Sequence, residues 1–344
     1  MATVSVVIPT LNRPLLLGEA IASAVTQTLP PADVLVVDDG SDPAVDAAAL
    51  VERFGQVVRV LRNPAPQGLA WARHQGVEAA TSDLVVHLDD DDRFAPELLA
   101  DCAAVLDANP LLDLVFIGTQ GFGSACEHFN RVHPEGVAQV LAMSAAGSAQ
   151  DGVHWLGEDL ALALLQRVPM PFQREMVRRA AWHRVHRLRL ASYRSALGLA
   201  SDTAAREQIR GTLRDSEWAV YAALAGCRAA LVNRPLYLQR CEGQGGSSVP
   251  AMRARHIAQT ISIKSIMNSA AELMPELQPL RQVIRQNLAL THFDAANELT
   301  NSGQFSYALA HLRQSLWLGP RLRHLKLLGR LGLVWAGRLA SRHA

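Results

Sequence analysis

The 344-residue chain has little cysteine, and none of it is paired in a CxxC spacing: Cys102, Cys126, Cys227 and Cys241 lie far apart. That scatter argues against a disulfide framework and a cysteine zinc site, and fits reduced thiols in a cytoplasmic protein. No apolar run approaches the ~18 residues that cross a bilayer. A strand-like run already begins at residue 4, which leaves no room for a signal peptide. Net charge is nearly absent too, with 33 Lys and Arg against 32 Asp and Glu. Such balance excludes a general nucleic-acid binder, and 49% hydrophobic residues exclude a disordered chain. One local absence stands apart. Residues 299–344 contain no Asp or Glu, yet carry Arg313, Arg321, Arg323, Lys326, Arg330, Arg338 and Arg342. The C-terminal region is therefore a basic module on a neutral chain.

What is present reads as an open α/β sheet. Val4-Ser5-Val6-Val7-Ile8, Val34-Leu35-Val36-Val37, Val57-Val58-Arg59-Val60-Leu61, Leu84-Val85-Val86-His87-Leu88 and Leu114-Val115-Phe116-Ile117 are short and rich in β-branched residues. Continuous apolar runs of this kind suit strands buried on both faces. Helix-like stretches at 15–28, 45–54, 69–80 and 96–108 alternate with them, in the rhythm of βαβ units. Residues 120–160 show weak periodicity. Beyond them come a short apolar segment at 168–172, a helix-like 175–186, a polar loop, and a helix from near Asp215 to near Gly226. Two short strands follow, at 229–232 and 236–238, with Pro235 fixing a turn between them. After the Gly/Ser-rich stretch 243–248, a candidate lid over a bound nucleotide or a plain linker, the chain is helical. Within it, residues 295–320 resemble part of a tetratricopeptide hairpin, which must pack on something else to bury its face. The expected division is a catalytic domain at 1–248, with halves 1–120 and 121–248, and a helical region at 249–344.

Polar clusters fall at the carboxyl ends of the strands, where such sheets bind ligands. They are Pro9-Thr10-Leu11-Asn12-Arg13, Asp38-Asp39-Gly40-Ser41-Asp42, and the four consecutive acids Asp89-Asp90-Asp91-Asp92. Carboxylates so crowded repel one another and favour a cation. Asp89 and Asp91 form a D-x-D pair able, with Asp92, to present oxygens to a divalent metal and through it to a diphosphate. The alternative is a turn in which Asp92 caps the helix after Pro96. Of Asp38 and Asp39, one could accept a hydrogen bond from a nucleobase or ribose while the other holds the loop.

These residues carry a resemblance. Ser5 to Arg13, Val36-Val37-Asp38-Asp39-Gly40-Ser41, Gly68-Leu69-Ala70-Trp71-Ala72-Arg73-His74-Gln75-Gly76 and Leu88-Asp89-Asp90-Asp91-Asp92 resemble the successive signatures of family 2 glycosyltransferases, which carry the glycosyltransferase A fold. The resemblance implies a metal ion, Mg2+ or Mn2+, at Asp91 first and Asp89 second. It implies nucleotide-sugar contacts from Pro9, Thr10, Asn12, Arg13, Asp39, Arg73 and Asp90. Position 74, commonly Asn in the family, is His here. The family's carboxylate base follows an acceptor region, and the matching stretch is Asp215-Ser216-Glu217-Trp218. Glu217 or Asp215 would be the base, unless both only cap a helix. Glu158-Asp159 has the right letters but precedes the segment 169–174 that normally comes first.

The expectation is a metal-dependent, inverting glycosyltransferase that moves a sugar from a nucleoside diphosphate, UDP, to a glycan or lipid-linked acceptor in polysaccharide biosynthesis. Two alternatives stay open: a catalytically silent sugar-nucleotide-binding scaffold, and a sugar-nucleotide nucleotidyltransferase, whose Gly-rich loop the first loop lacks. His183 and His186 could suggest a metal pair but read better as a solvated basic face with Arg178, Arg179 and Arg187. Leu325, Leu328, Leu331, Trp335 and Leu339 recur at helical spacing with Arg323, Arg330 and Arg338 interspersed. That helix could lie on an anionic membrane at the inner face, pack on the catalytic domain, or join a second subunit in a homo-oligomer.

Overall fold

The computed structural model describes residues 2–148, 152–166, 172, 174–209, 217–241, 250–319 and 323–340. The chain falls into two compact units. The first comprises Met1–Leu164, Val168–Arg194 and Leu199–Gly246; the second comprises Leu165–Arg167, Ser195–Gly198 and Ser247–Ala344.

The first unit opens with β1 (Val4–Thr10), α1 (Pro14–Val25), β2 (Asp33–Asp38), α2 (Ala47–Phe54), β3 (Val58–Arg62), α3 (Leu69–Ala79) and β4 (Leu84–His87). Every residue of β1, β2 and β4 is buried, as their unbroken apolar runs require of strands covered on both faces. Helix α3 lies hard against β1. A Cβ on Gly76 would come 2.2 Å from Val7 Cγ1, so only glycine allows that approach. Next come β5 (Arg93–Phe94), α4 (Leu98–Ala108), β6 (Leu114–Phe122), α5 (Glu127–Ser144), β7 (Ala145–Ser148), β8 (Val153–Leu156) and α6 (Leu160–Leu165). After these follow β9 (Glu175–Arg178), α7 (Arg179–Leu197), α8 (Asp202–Ile209), α9 (Trp218–Leu224) and β10 (Ala229–Arg240).

Among the described residues the strands form one sheet in the order β3-β2-β1-β4-β9-β6-β10-β8-β7, with β5 on β10. From the pairings, β1, β2, β3, β4, β6, β7 and β10 run one way, and β5, β8 and β9 the other. The expected mostly parallel open sheet is what the chain builds.

Several local expectations are corrected. Glu175–Arg178 is a strand, not the start of a helix, because it fills the slot between β4 and β6 and pairs with both. Pairing on two sides outweighs a helical apolar pattern. The two short strands around Pro235 are one strand, β10, whose register on β6 shifts between Val232 and Tyr237. Pro235, which has no N–H to donate, falls inside that shift. Gly118 permits it, since a Cβ there would lie 2.2 Å from the Arg234 carbonyl oxygen. The weakly periodic region contains α5 and two strands, and the polar loop after residue 186 holds the end of α7 and α8. The helix expected from near Asp215 is seen from Trp218, and Asp215 and the stretch 243–248 lie outside the described residues.

The second unit is helical: α10 (Pro250–Leu273), α11 (Arg281–Asn301), α12 (Phe305–Leu318) and α13 (Arg323–Ala340). Helices α11 and α12 form the expected hairpin, turning at Gly303 with φ +75°. Ala296, Ala308 and Leu312 from the hairpin pack with Leu327 and Leu331 of α13. The hairpin's apolar face is thus covered by α13. The anticipated stripe on that helix divides, since Leu331 is buried while Leu325 and Leu328 are exposed. The side chains of Trp335 and Leu339 lie outside the described residues. Among those residues no helix is long and apolar enough to cross a membrane, and none of the four cysteines is in a disulfide.

Candidate active site

Three strand-end loops meet at the carboxyl edge of β1, β2 and β4. The Asp39 N–H donates to the Thr10 carbonyl at 2.9 Å, and the Leu88 N–H to the Val7 carbonyl at 3.0 Å. Asn12, with a left-handed φ of 57°, ties the first loop to the second. Its N–H donates to Ser41 Oγ at 3.0 Å, and its Oδ1 accepts from the Asp42 N–H at 2.8 Å. Asp38 holds the second loop from within. It accepts from the Ser41 and Val45 N–H groups and from Arg62. Burial alone would raise its pKa, but those hydrogen bonds lower it. Asp39 is also engaged: Asn63 Nδ2 and the N–H groups of Gln67 and Gly68 donate to it, each at 2.8 Å. A carboxylate offers about four acceptor positions, so one remains for a ligand.

The four acids are far from equivalent. Asp89 receives Arg73 on one oxygen and Arg174 on the other, the latter at 2.6 Å. Burial opposes its charge, yet Arg174 and Arg73 hold its carboxyl well below the usual range. Asp90 accepts from Thr10 Oγ1 at 2.7 Å and from Arg13 at 3.1 Å. Burial nevertheless pushes its pKa up to about 6. Asp91 is the most open, its side chain 28% exposed, and accepts from Arg13 at 2.7 Å. Asp92 is 3% exposed, and it caps nothing. Helix α4 has Glu97 at its cap position and no side-chain cap. Asp92 instead takes the Tyr237 hydroxyl at 2.9 Å and the Arg240 N–H at 2.7 Å, both from β10. Burial first, then the neighbouring carboxylates, raise its pKa to about 7.

Carboxylate oxygens of Asp89, Asp91 and Asp92 lie within 4.8 Å of one another, the one such group of metal-ligating side chains among the described residues. An all-oxygen donor set suits Mg2+ or Mn2+. Burial first, and the neighbouring carboxylates after it, raise the pKa values of Asp90 and Asp92, a charge cost that a cation would relieve. The residues fit a divalent ion, with Asp92 beside the Asp91 and Asp89 pair, the first of the two readings the sequence left open for it.

Arg73 links the acid run to a cleft that it lines with Ala70, Glu175, Trp182, Arg189 and Trp218. Trp182 and Trp218 stack with ring centroids 5.3 Å apart. Glu217 sits at the cap position of α9 but makes no side-chain cap, so the capping alternative fails for it. It is buried among groups from α7: Tyr193 donates its hydroxyl to Oε1 at 3.4 Å, and Arg189 Nη2 lies 3.9 Å from the same oxygen. Glu158 and Asp159 are exposed. The expected solvated histidine face is also corrected. His183 pairs with Glu78 at 3.2 Å, but His186 is buried and stacks on His74 at 3.9 Å. Burial lowers His74 to about 4 and His186 to about 2, so both are neutral imidazoles.

The structure brings Thr10, Asn12, Arg13, Asp39, Arg73, Asp89, Asp90 and Asp91, all expected from the sequence, to one strand-end cluster, with Pro9 beside them on β1. The sequence reading did not include in the site Arg174, Tyr237 or Arg240, which hold the acids from the far half of the unit. Polar residues in the apolar ends of β9 and β10 were the available signal. For Arg189, in the stretch after residue 186 that reads as a polar loop, there was none.

Residues 5–136 match the model of a protein family described as glycosyl transferase family 2. The succinoglycan biosynthesis protein ExoW of Rhizobium meliloti is 39% identical over 104 residues, 29% of this chain and 32% of that protein. Matched stretches span between about a third and two-fifths of the curated relatives' length. Among solved structures, S. aureus TarS residues 1–349 with UDP-GlcNAc has a TM-score of 0.59 at 17% identity, covering 92% of this chain and 82% of that one. A Pyrobaculum calidifontis mannosyltransferase with GDP-Man and Mn2+ has a TM-score of 0.53 at 18% identity, covering 96% and 79%. At such identities the likeness is one of fold.

Proposed function

We propose, on the premise that residues 5–136 of this chain are a family 2 glycosyl transferase domain, that the protein transfers a sugar from a nucleoside diphosphate to a hydroxyl acceptor. The observation that carries this reading is the convergence of three strand-end loops on the acid run. Thr10 and Arg13 bind Asp90, Arg13 binds Asp91, and Asp39 is tied to Thr10. A divalent metal held by Asp91 and Asp89, with Asp92, would neutralise charge developing on the leaving diphosphate.

The chain's own residues supply the rest. Arg13 and Arg73 bring positive charge to the edge of the site and orient an anionic donor. Asp39 has one acceptor position left for a nucleobase N–H, and residues 9–13 line the nucleotide. An acceptor hydroxyl is a weak nucleophile, so a carboxylate takes its proton. Glu217 is assigned this role, with Asp215 the alternative. Arg189 and Tyr193 fix the Glu217 carboxylate. A base on the face opposite the leaving group gives inversion. The UDP donor draws support from TarS, solved with UDP-GlcNAc. A glycan or lipid-linked acceptor draws support from ExoW, named for succinoglycan biosynthesis. Four cysteines without a disulfide among them favour a cytoplasmic setting.

One observation favours a second reading, a silent sugar-nucleotide-binding protein: Glu217 is packed against Arg189 and Tyr193 in the interior of the unit. Manganese-dependent hydrolysis of a UDP-sugar separates the two. Wild type should turn over, Asp91→Ala should lose at least about 100-fold with weakened nucleotide binding, and Glu217→Gln should lose turnover alone. Nucleotide binding without any wild-type turnover would establish the silent reading.

A further inference from the structure

We propose that the exposed apolar and basic side chains of α12 and α13 dock on an anionic lipid bilayer. The described residues include twelve exposed large hydrophobic side chains, and five lie between Tyr307 and Leu328: Tyr307, Leu309, Trp317, Leu325 and Leu328. Tyr307 and Trp317 are the only exposed tyrosine, tryptophan or phenylalanine among the described residues. Trp317 is 70% exposed.

The arrangement is ordered. Leu309, Arg313 and Trp317 follow at four-residue spacing and so share one face of α12. The opposite face, with Ala308 and Leu312, is spent on the bundle core together with Leu327 and Leu331. Cations accompany the apolar tips. The Arg285 guanidinium lies 5.2 Å from the Trp317 ring centre and is pinned by donating to the Leu318 carbonyl at 2.9 Å. Lys326 is exposed between Leu325 and Leu328 on α13.

Charge selects the occupant. Residues 299–344 carry seven Lys and Arg and no acid, so a second copy of this segment would meet its own charge. A nucleic acid would supply phosphates but no hydrocarbon for the leucines. Anionic headgroups above an acyl layer answer both features, and tryptophan and tyrosine favour that boundary. The contact is interfacial, through half-helix faces. It does not depend on the proposed activity.

The test is co-sedimentation of the full-length protein with vesicles of phosphatidylcholine alone or with about 30% phosphatidylglycerol. Binding should appear with the anionic vesicles only and weaken as salt rises. Leu309→Ser with Trp317→Ser, and separately Arg313→Glu with Lys326→Glu, should each lower the bound fraction about tenfold while UDP-sugar turnover and thermal unfolding stay unchanged. Lys326→Glu alone serves if the double variants misfold, and should weaken binding severalfold. The proposal is overturned if the wild type ignores anionic vesicles or if the variants bind as it does. It also fails if the face proves to be a subunit contact, shown by a wild-type dimer that the serine variant makes monomeric without vesicle binding. Binding to a single-stranded RNA in preference to the vesicles would likewise overturn it.

Discussion

At the scale of single residues, four identical neighbours acquire three different chemistries from their surroundings. Asp89 is held ionised by two arginines, Asp91 faces outward, and Asp90 and Asp92 are pressed towards protonation by burial. Tyr237 is central to that division. Its hydroxyl donates to Asp92 at 2.9 Å and accepts from the Asp89 N–H at 3.1 Å. Tyr237→Phe should cost about 1–3 kcal/mol of stability, because two buried polar groups lose a partner. Calorimetric titration should also show weaker Mn2+ binding. Unchanged stability and metal affinity would remove Tyr237 from the site's support.

At the scale of elements, the site depends on how closely helices and strands approach. Helix α3 delivers Arg73 to Asp89 and, through Gly68, a backbone donor to Asp39. It can do so because Gly76 lets it touch Val7. Gly76→Ala places a methyl group 2.2 Å from Val7 Cγ1, so the helix must move. Destabilisation of about 1–3 kcal/mol should follow in urea unfolding, together with weaker nucleotide binding. The Gly68–Gly76 stretch was legible in the sequence as a motif, but its mechanical reason was not. Strand β9 was illegible altogether, since Glu175–Arg178 becomes a strand only by lying between β4 and β6.

At the scale of the whole molecule, buried histidines make folding sensitive to acid. His74 and His186 titrate near 6.5 when unfolded, but folding lowers them to about 4 and about 2, burial being the main cause. Arg189 and Arg206 add to the effect, while Glu78 beside His74 opposes it. Below pH 6.5 these two histidines therefore bind more protons in the unfolded chain than in the folded one, whereas Asp90 and Asp92, with raised pKa values, act in the opposite sense. The histidines' contribution is fully present above that pH and is lost progressively as pH falls, towards about 4 for His74 and about 2 for His186. Each proton difference adds up to about 1.4 kcal/mol per pH unit. His186→Phe should flatten the dependence of unfolding free energy on pH between 4 and 6.5, measured against wild type by urea titration. An identical slope in both proteins would show that His186 does not carry it.

The sequence by itself determined the alternating strands and helices of residues 4–122, the loops at their carboxyl ends and the acid run among them. Those features are local, because a strand's burial is written in its own apolar run and a loop in its own polar residues. Only the tertiary structure decided what each acid does. Besides Arg73, the partners of Asp89 and Asp92 are Arg174, Tyr237 and Arg240, which lie some 80 to 150 positions away and are brought close by the order of the sheet. It also decided that Glu217 packs against Arg189 and Tyr193 rather than capping α9, and that His186 is buried rather than solvated. Contacts of that range leave no periodic trace in the chain, since they depend on which element packs against which.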